Sequence, residues 1–172
     1  IQFYEMLRCG VISRQTIETM LGIYASQLKE RGDEFYKEIR TAFNTSHDPF
    51  NFLFLSRCCF NGLMRFNKKG EFNVPFCKKP DRLRGAYITK ILNQIDAVHR
   101  VMKGSEWTFS PKDFRTVVAE TYENDFIYCD PPYHGRFVDY YGGWTEEDEE
   151  DLYNLLSNTK AKFILSTWHH TT

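Results

Sequence analysis

Two consecutive prolines directly after a short apolar run constrain the fold of this chain more than any other feature. The run Phe126 to Cys129 has the composition of a β-strand, and Asp130-Pro131-Pro132-Tyr133 follows it. Proline has a fixed φ and no backbone N–H, so it cannot continue the hydrogen-bonded ladder of a sheet. The four residues are therefore predicted to form a stiff turn at the carboxyl end of a strand, where open α/β sheets bind ligands.

Three chemical roles are open to the Asp130 carboxylate in this turn: metal ligand, general base, or acceptor of hydrogen bonds from an amine. The two prolines favour the third role. Each leaves a backbone carbonyl without a neighbouring N–H, and its fixed φ holds that carbonyl near the carboxylate. Tyr133 adds a flat aromatic face. Two acceptors beside an aromatic face are what a planar aromatic amine requires.

Length and composition indicate a folded chain. Its 172 residues suffice for one domain or for a compact domain with an inserted module, and 42% hydrophobic with 16% aromatic residues argues against disorder. No signal peptide or membrane-spanning run is recognisable, so we expect a soluble, cytoplasmic protein. The odd number of cysteines and the lack of a CxxC pair predict reduced, mostly buried thiols and no metal site. These cysteines are Cys9, Cys58, Cys59, Cys77 and Cys129.

Positive charge is concentrated in one segment, although the formal net charge of the chain is -1. Between Arg57 and Lys90 there are nine lysine or arginine residues and two acids, so this segment carries +7 and the remainder carries -8. Clustered cations favour a polyanionic partner, because counterion release rewards locally dense charge. A solvated charged surface is the alternative that charge alone leaves open.

The first hundred residues are predicted to be mainly helical. Apolar residues recur at helical spacing over residues 14–30, 33–43 and 88–102, and Gly32 and Gly104 are expected to end the first and last of these helices.

A further buried helix and a hairpin are predicted between these helices. Asp48-Pro49 is typical of an N-cap followed by proline in the first turn, and the apolar run FNFLFLSRCCF comes next. Apolar and polar residues then partly alternate on both sides of Asn67-Lys68-Lys69-Gly70. This alternation predicts a hairpin in which Gly70 adopts a positive φ and Pro75 closes the second strand.

From Trp107 onward the pattern changes to strand, turn and helix. Strands are expected at residues 107–109, 126–129 and 162–167. Helices are expected near residues 114–120 and after Thr145, which with Asp148 resembles a capping box. Strands separated by crossover helices imply a parallel sheet.

The chain resembles the DNA adenine methyltransferases of the Dam type, whose signature is DPPY. The likeness extends to LSRCCFNGLMRFNKKGEFNVPFCKKP, to Asp113-Phe114 and to KFILSTWHH, and the chain looks most like the EcoRV-type modification enzymes. The resemblance implies an α/β fold, namely part of a Rossmann-like S-adenosylmethionine-dependent methyltransferase with an inserted helical and hairpin DNA-recognition domain. It implies catalytic helices over residues 1–45, target recognition over 46–104, and a catalytic α/β core over 105–172.

The activity implied by the resemblance is methyl transfer from S-adenosylmethionine to the N6 amine of an adenine flipped out of double-stranded DNA. Asp130 and the Pro131 carbonyl would accept hydrogen bonds from the amine, so that positive charge developing on nitrogen is stabilised. Pro132 would stiffen the turn, and Tyr133 would stack on the extruded base. Such enzymes commonly act as monomers, and a partner restriction enzyme is expected.

The resemblance also implies the cofactor contacts. Asp113 would accept a hydrogen bond from the cofactor's adenine amine, and Phe114 would pack nearby. Asp130 would be the third residue in contact with the cofactor. A simple helix N-cap is the alternative for Asp113.

DNA contacts are implied in the hairpin region. Phe60 matches an aromatic wedge that fills the base stack, with a core aromatic as the alternative, and Asn61 matches a neighbouring polar contact. Arg65 would bind a guanine edge or a phosphate. Leu63 and Pro75 match positions that approach the duplex, whereas phosphate contacts are expected from Lys68, Lys69, Lys78, Lys79, Arg82 and Arg84.

The chain departs from the family pattern at its ends. Members begin with a glycine-rich FxGxG loop that receives the cofactor, whereas no GxG occurs among the ten glycines here. The chain is therefore interpreted as an internal piece of a longer enzyme, and a DNA-binding module that has lost cofactor binding is the alternative function. The resemblance also implies that residues 134–144 form a mobile loop over the active site, and no role is assigned to His169 and His170.

Overall fold

The computed structural model describes residues 1–133 and 143–167. Internal contacts divide the chain into two compact units. We call Ile1–Ser110 the helical unit, and the unit that begins at Pro111 the sheet unit. The three-part division expected from the sequence stays a prediction. In the described part of the chain, no helix combines the length and the apolar character needed to cross a membrane.

Local signals explain where the helices of the helical unit begin and end. The Asp48 carboxylate accepts hydrogen bonds from the N–H groups of Phe50 and Asn51 at 2.9 and 3.0 Å, and Pro49 occupies the first helical position as predicted. Gly32, with φ +54°, ends the preceding long helix. The helices are α1 (Gln2–Arg8), α2 (Arg14–Arg31), α3 (Asp33–Ser46), α4 (Pro49–Cys58) and α5 (Gly85–Lys103), with short 3-10 turns at Phe60–Gly62 and Pro80–Leu83.

Aromatic rings fill the core of the helical unit. Phe54 of α4 is fully buried, and its ring centre lies 5.2, 5.6 and 6.1 Å from those of Tyr24, Phe35 and Tyr36. Burying a side chain of this size contributes about 2–3 kcal/mol. The buried amide of Asn51 accepts a hydrogen bond from the Tyr24 hydroxyl at 2.7 Å. The phenol in the core therefore has a hydrogen-bond partner.

The predicted hairpin is present as a turn, but its arms are not regular strands. Two isolated antiparallel bridges join Cys59 to Phe76 and Phe66 to Phe72. Gly70 has φ +78°, as the hairpin prediction required.

Helix α3 holds the second arm in place of a partner strand. The Tyr36 hydroxyl and the Arg40 guanidinium donate to the Val74 carbonyl at 2.9 and 3.2 Å. One turn further on, the Asn44 amide accepts from the Phe72 N–H at 2.8 Å and donates to the Phe72 carbonyl at 3.2 Å. These three side chains recur every four residues, so one face of α3 satisfies the backbone of the arm.

The sheet unit contains α6 (Phe114–Ala119), β1 (Phe126–Cys129), α7 (Glu146–Asn158) and β2 (Lys162–Leu165). The two strands pair in parallel, with Phe126 opposite Lys162 and Cys129 opposite Leu165, which confirms the predicted parallel arrangement. The sheet has only these two strands among the described residues, so the complete Rossmann-like sheet is not seen and the chain is mostly helical.

Two expectations from the sequence are wrong in part. Residues 107–109 form no strand; instead, the rings of Trp107 and Phe109 stack at 6.3 Å and the Phe109 N–H donates to the Glu5 carboxylate at 3.2 Å. The thiols are all free, but they are less buried than expected, since Cys9 is exposed and Cys77 and Cys129 are half-buried. Cys58 and Cys59 are buried, and burial raises the pKa of both thiols.

Candidate functional site

The turn Asp130-Pro131-Pro132-Tyr133 lies at the carboxyl end of β1, as predicted. The Tyr133 hydroxyl donates a hydrogen bond to Oδ1 of Asp130 at 3.1 Å and lies 2.9 Å from the Ser166 hydroxyl. Asp130 is exposed, and in the described part of the chain its side-chain hydrogen bond comes from this phenol rather than from a lysine or arginine. The carboxylate therefore stays accessible to a ligand.

Ser166 is a site residue that the sequence analysis missed. It directly follows β2, and its backbone N–H donates to the Cys129 carbonyl at 2.8 Å, which extends the ladder to the end of β1. Because parallel strands place their carboxyl ends at the same edge, the residues after β1 and β2 meet. The signal that could have found Ser166 is this register: it is the first polar residue after β2, as Asp130 is after β1.

The hydroxyls of Tyr133 and Ser166 can form a chain that ends on the carboxylate. If the Ser166 hydroxyl donates to the phenol oxygen, the phenol proton is directed to Oδ1 of Asp130. This arrangement fixes the carboxylate rotamer and occupies one of its oxygens. The second oxygen, Oδ2, is then the acceptor that a ligand amine can use.

A cavity of about 290 Å³ lies at this edge of the sheet. Asp130 and Pro131 line it together with Phe114 and Trp144. The rings of Phe114 and Trp144 have their centres 5.3 Å apart at an interplanar angle of 45°. The structure thus brings together two of the three residues predicted to contact a cofactor, Phe114 and Asp130, and adds Trp144, which the sequence placed in the expected loop over the site but gave no contact.

Asp113, the third predicted cofactor contact, caps helix α6. Its carboxylate accepts from the Arg115 N–H at 2.9 Å, and it does not line the cavity. The N-cap that the sequence left as the alternative is therefore present, whereas a contact with the cofactor stays a prediction.

Arg115 fixes α6, and with it Phe114, to α7. Its guanidinium donates to Asp151 and, at 2.6 Å, to Asp148, and these hydrogen bonds raise the pKa of Arg115. The same guanidinium lies 4.6 Å from the centre of the Phe114 ring. Asp148 also accepts from the Thr145 hydroxyl and N–H in the predicted capping box. The bonds from Thr145, followed by the one from Arg115, lower the pKa of Asp148 to about 2.

Of the eleven predicted DNA contacts, all in the helical unit, Arg82 is half-buried and the other ten are exposed. Phe60 has 49% of its surface exposed, so it is not a core aromatic. Its N–H donates to the Pro75 carbonyl at 2.8 Å, and Arg65 donates to the Asn73 amide at 2.9 Å, so the two arms present these side chains together. Asn61 has a left-handed φ of +53°. We call Phe60, Asn61, Leu63, Arg65 and Pro75 the recognition face.

Alternation along the second arm explains why Pro75 of the recognition face points outward. Phe72, Val74 and Phe76 are buried, whereas Pro75 between them is exposed. The apolar residues anchor the arm to the core and leave the intervening positions free for contacts. The four lysines predicted to contact phosphates are also exposed: Lys68, Lys69, Lys78 and Lys79.

Some predictions fall outside the described residues. The loop expected over residues 134–144 is described only at Gly143 and Trp144, and His169 and His170 are not described. Within residues 1–133 and 143–167, no three histidine, cysteine or carboxylate side chains are grouped as metal ligands.

Comparison with known proteins relates this site to a family. Residues 2–172 match the family described as D12 class N6 adenine-specific DNA methyltransferase. The chain is 33% identical over 152 residues to the DNA adenine methylase of Vibrio cholerae, which covers 81% of this chain and 52% of that protein. It is 37% identical over 105 residues to that of Serratia marcescens, covering 59% of this chain and 36% of that protein.

The DNA adenine methylase of Escherichia coli K12 is 36% identical over 104 residues, covering 58% of this chain and 34% of that protein. The chain thus spans about a third to a half of the length of the curated relatives it matches. The family match, by contrast, extends over almost the whole sequence. This chain therefore belongs to the D12 class of N6 adenine-specific DNA methyltransferases.

Proposed function

We propose that the protein containing this chain methylates the N6 amine of adenine in double-stranded DNA, with S-adenosylmethionine as methyl donor. The observation that carries the proposal is the cavity at the carboxyl edge of the sheet, where a carboxylate, a proline-stiffened turn and two aromatic rings are brought together. Membership of the family supports the same activity.

The residues of this cavity fit the chemistry of the cofactor. Phe114 and Trp144 would hold its adenine ring by aromatic contact, and Asp130 would accept hydrogen bonds from its polar groups. The volume of about 290 Å³ is near the lower end of the range for ligand pockets, about 300–1,000 Å³. When bound, S-adenosylmethionine supplies a methyl group activated by its positively charged sulfur.

Asp130 would stabilise the target amine as its charge changes. The N6 lone pair of adenine is delocalised into the ring, so the amine is a poor nucleophile. The methyl carbon would form its new bond to nitrogen as its bond to sulfur breaks and the bonding electron pair stays on sulfur. The nitrogen becomes positive in this step, and the proton that it then loses would pass to water. A hydrogen bond from the amine to Oδ2 of Asp130 strengthens as this charge appears, so it lowers the barrier rather than merely tightening binding.

The other turn residues would orient the amine and the carboxylate. The Tyr133 hydroxyl, itself hydrogen-bonded to Ser166, donates to Oδ1 of Asp130, which leaves Oδ2 for the amine. The Pro131 carbonyl would accept the second amine hydrogen, Pro132 would keep the turn rigid, and the flat face of Tyr133 would stack on the extruded base.

The recognition face would bind the duplex and stabilise the flipped state. Extruding the adenine costs about a few kcal/mol, because its base pair must open. Phe60 would fill the space that the extruded adenine leaves in the stack. Arg65 would form a forked contact with a guanine edge. Exposed Lys68, Lys69, Lys78 and Lys79 would hold phosphates and position the protein along the backbone.

A finer assignment follows from the sequence likeness to EcoRV-type modification enzymes. This likeness supports the proposal that the protein acts as a monomer in the cytoplasm and protects DNA from a partner restriction enzyme. The corresponding assay treats unmethylated DNA with the restriction enzyme and measures whether prior incubation of the DNA with the protein prevents cleavage.

The experiment that tests the function uses the full-length protein encoded by the gene that carries this sequence. Tritium from labelled S-adenosylmethionine is expected to enter duplex DNA and to be recovered as N6-methyladenine after enzymatic digestion. Salt-sensitive DNA binding without any methyl transfer would contradict the proposal and would favour the alternative of a DNA-binding module.

A further inference from the structure

Two cysteines of the helical unit face each other where the second arm of the hairpin turn passes the end of α4. An antiparallel bridge joins Cys59 to Phe76. One residue further along, the Cys77 N–H donates to the Cys58 carbonyl at 3.0 Å. This register places Cys58, the last residue of α4, directly opposite Cys77 on the second arm.

The spacing of Cys58 and Cys77 suits a covalent bond between their sulfur atoms. Opposite residues that share a backbone hydrogen bond in an antiparallel pair have Cα atoms about 5.5 Å apart, and a disulfide spans roughly 4.4–6.8 Å. The two thiols also influence each other, because burial and then the neighbouring Cys77 raise the pKa of the Cys58 thiol. Both thiols are free in this structure.

Cys59 is a poorer partner for either thiol. The Cα atoms of consecutive residues are about 3.8 Å apart, which is too short for a disulfide between Cys58 and Cys59 without distortion. Cys59 lies opposite Phe76, and its thiol donates to the Leu63 carbonyl at 3.4 Å inside the turn. The register therefore favours the pair Cys58 and Cys77.

The two thiols of this pair differ in their access to solvent. Cys77 is half-buried, so a small oxidant can reach it, whereas Cys58 is fully buried. The thiolate is the form of cysteine that reacts, and burial keeps Cys58 protonated. Cys77 is therefore expected to react first. An accessible cysteine beside a second cysteine that can resolve its oxidised form is typical of redox-sensing pairs.

We propose that Cys77 and Cys58 form a reversible disulfide with hydrogen peroxide as oxidant, and that this bond alters the recognition face. The Cys77 thiolate attacks one peroxide oxygen, the O–O bond breaks, and the departing hydroxide takes up the thiol proton as water. Cys58 then attacks the sulfenic acid formed on Cys77. The S–S bond forms as the S–O bond breaks, and the second hydroxide leaves as water with the Cys58 proton. The two thiols together lose two electrons, and the peroxide gains them.

The bond would change the recognition face because it joins the two arms close to Phe60 and Pro75. Opposite Cβ atoms in a sheet are about 4.5–5.5 Å apart, whereas those of a disulfide are about 3.8 Å apart. Formation of the bond therefore draws the second arm towards α4 by about 1 Å. Each bonded cysteine is two residues from Phe60 or Pro75, so the spacing of these two side chains changes. The consequence for DNA rests on the proposed function, whereas the thiol chemistry does not.

Peptide mapping of the full-length protein tests the bond itself. After treatment with hydrogen peroxide, blocking of the remaining thiols and digestion with trypsin, residues 58–65 and 70–78 should be recovered as one cross-linked species. Dithiothreitol should separate them. The cross-link should be absent from Cys58→Ala and Cys77→Ala. It should persist in Cys59→Ala, the matched control, which also replaces a buried thiol at the end of α4.

DNA affinity tests the effect of the bond. The oxidised wild type should bind duplex DNA about tenfold more weakly than the reduced protein, as expected for the loss of one good contact with a base edge, and dithiothreitol should restore binding. Cys77→Ala, at a half-buried position, should keep its fold and bind equally well with and without peroxide.

Three results would overturn the inference. The first is a folded wild type that gives no cross-link, and the second is a cross-link that persists in Cys58→Ala but not in Cys59→Ala. The third is an affinity that peroxide leaves unchanged in the cross-linked wild type, or lowers equally in Cys77→Ala. A reduced wild type that neither binds nor methylates DNA would instead contradict the proposed function, and the peptide map would still decide whether the disulfide forms.

Discussion

The helical unit and the sheet unit support their candidate sites in different ways. Twenty-three buried side chains form the core of the helical unit, whereas Val118, Leu152 and Leu156 form that of the sheet unit in the described residues. The strand residues Phe126 and Tyr128 are 60% and 64% exposed. The recognition face therefore projects from a well-packed scaffold, while the carboxylate turn sits on a thin sheet, and two strands alone are marginally stable.

This contrast determines whether a substitution at each site can change function without changing stability. Around the recognition face, buried Phe72, Val74 and Phe76 anchor the arm, so its exposed neighbours are free for the proposed contacts with DNA. At the carboxylate turn, Tyr133 and Ser166 bond to the site and also join the two strands. Substitutions at the first site should change binding alone, whereas those at the second should also change stability.

The largest difference is expected when a phenylalanine is replaced by alanine in each of the two units. Phe54→Ala removes a fully buried ring and should cost about 3–5 kcal/mol in the free energy of unfolding of the helical unit. Phe163→Ala, at a strand residue 44% exposed, should cost less than about 1 kcal/mol in the sheet unit. Urea unfolding followed by amide resonances of each unit measures both values. Equal losses would show that the sheet unit is better packed than its burial indicates.

An intermediate effect is expected at the recognition face. Arg65→Ala should reduce discrimination between cognate and single-mismatch duplexes by about 1–3 kcal/mol, with the stability of the helical unit unchanged within about 0.5 kcal/mol. Lys68→Ala, an exposed neighbour in the turn, is the matched control and should weaken all duplexes alike. Uniform weakening by Arg65→Ala would assign Arg65 to a phosphate instead of a base.

The smallest effect is a pH dependence of the sheet unit. The pKa of Asp148 in the folded state, about 2, lies below its usual value of 3.8, so the ionised carboxylate favours folding. Its contribution is complete above about pH 4 and is lost as the pH falls towards about 2. Asp148→Asn should therefore destabilise the sheet unit at neutral pH, and its difference from the wild type should shrink over that acid range.

Chemical unfolding monitored on α7 amides at several pH values measures this dependence. Glu147→Gln, an exposed substitution in the same helical turn, serves as the control and should give a smaller difference from the wild type at neutral pH. A difference between Asp148→Asn and the wild type that stays constant down to pH 2 would contradict the role of the Asp148 charge.

Helix ends and turns could be predicted because short-range chemistry fixes them. Asp48 caps α4 through its own carboxylate, Gly32 supplies a positive φ, and Thr145 with Asp148 closes the capping box. The turn after β1 could be predicted for the same reason, because proline lacks the backbone N–H that a strand needs as a hydrogen-bond donor.

Features that depend on distant partners could not be predicted in the same way. The arm near Phe72 is not a regular strand because side chains of α3, including Asn44, take up its backbone groups. Phe109 bonds to Glu5, more than a hundred residues away in the sequence, and not to a strand. Ser166 joins the site only through the register of two strands that are separated by α7. Each of these outcomes requires tertiary information that an alternating pattern does not contain.

In the proposed mechanism, the Asp130 carboxylate stabilises the target amine during methyl transfer. The most direct measurement is the single-turnover rate of methyl transfer by the full-length protein with Asp130→Asn, beside Glu123→Gln at an exposed carboxylate near the other end of β1. The expected rate for Asp130→Asn is about 10²–10³-fold below that of the wild type, with DNA binding retained, and the control should be unchanged. A wild-type rate for Asp130→Asn would contradict the proposed role of the carboxylate.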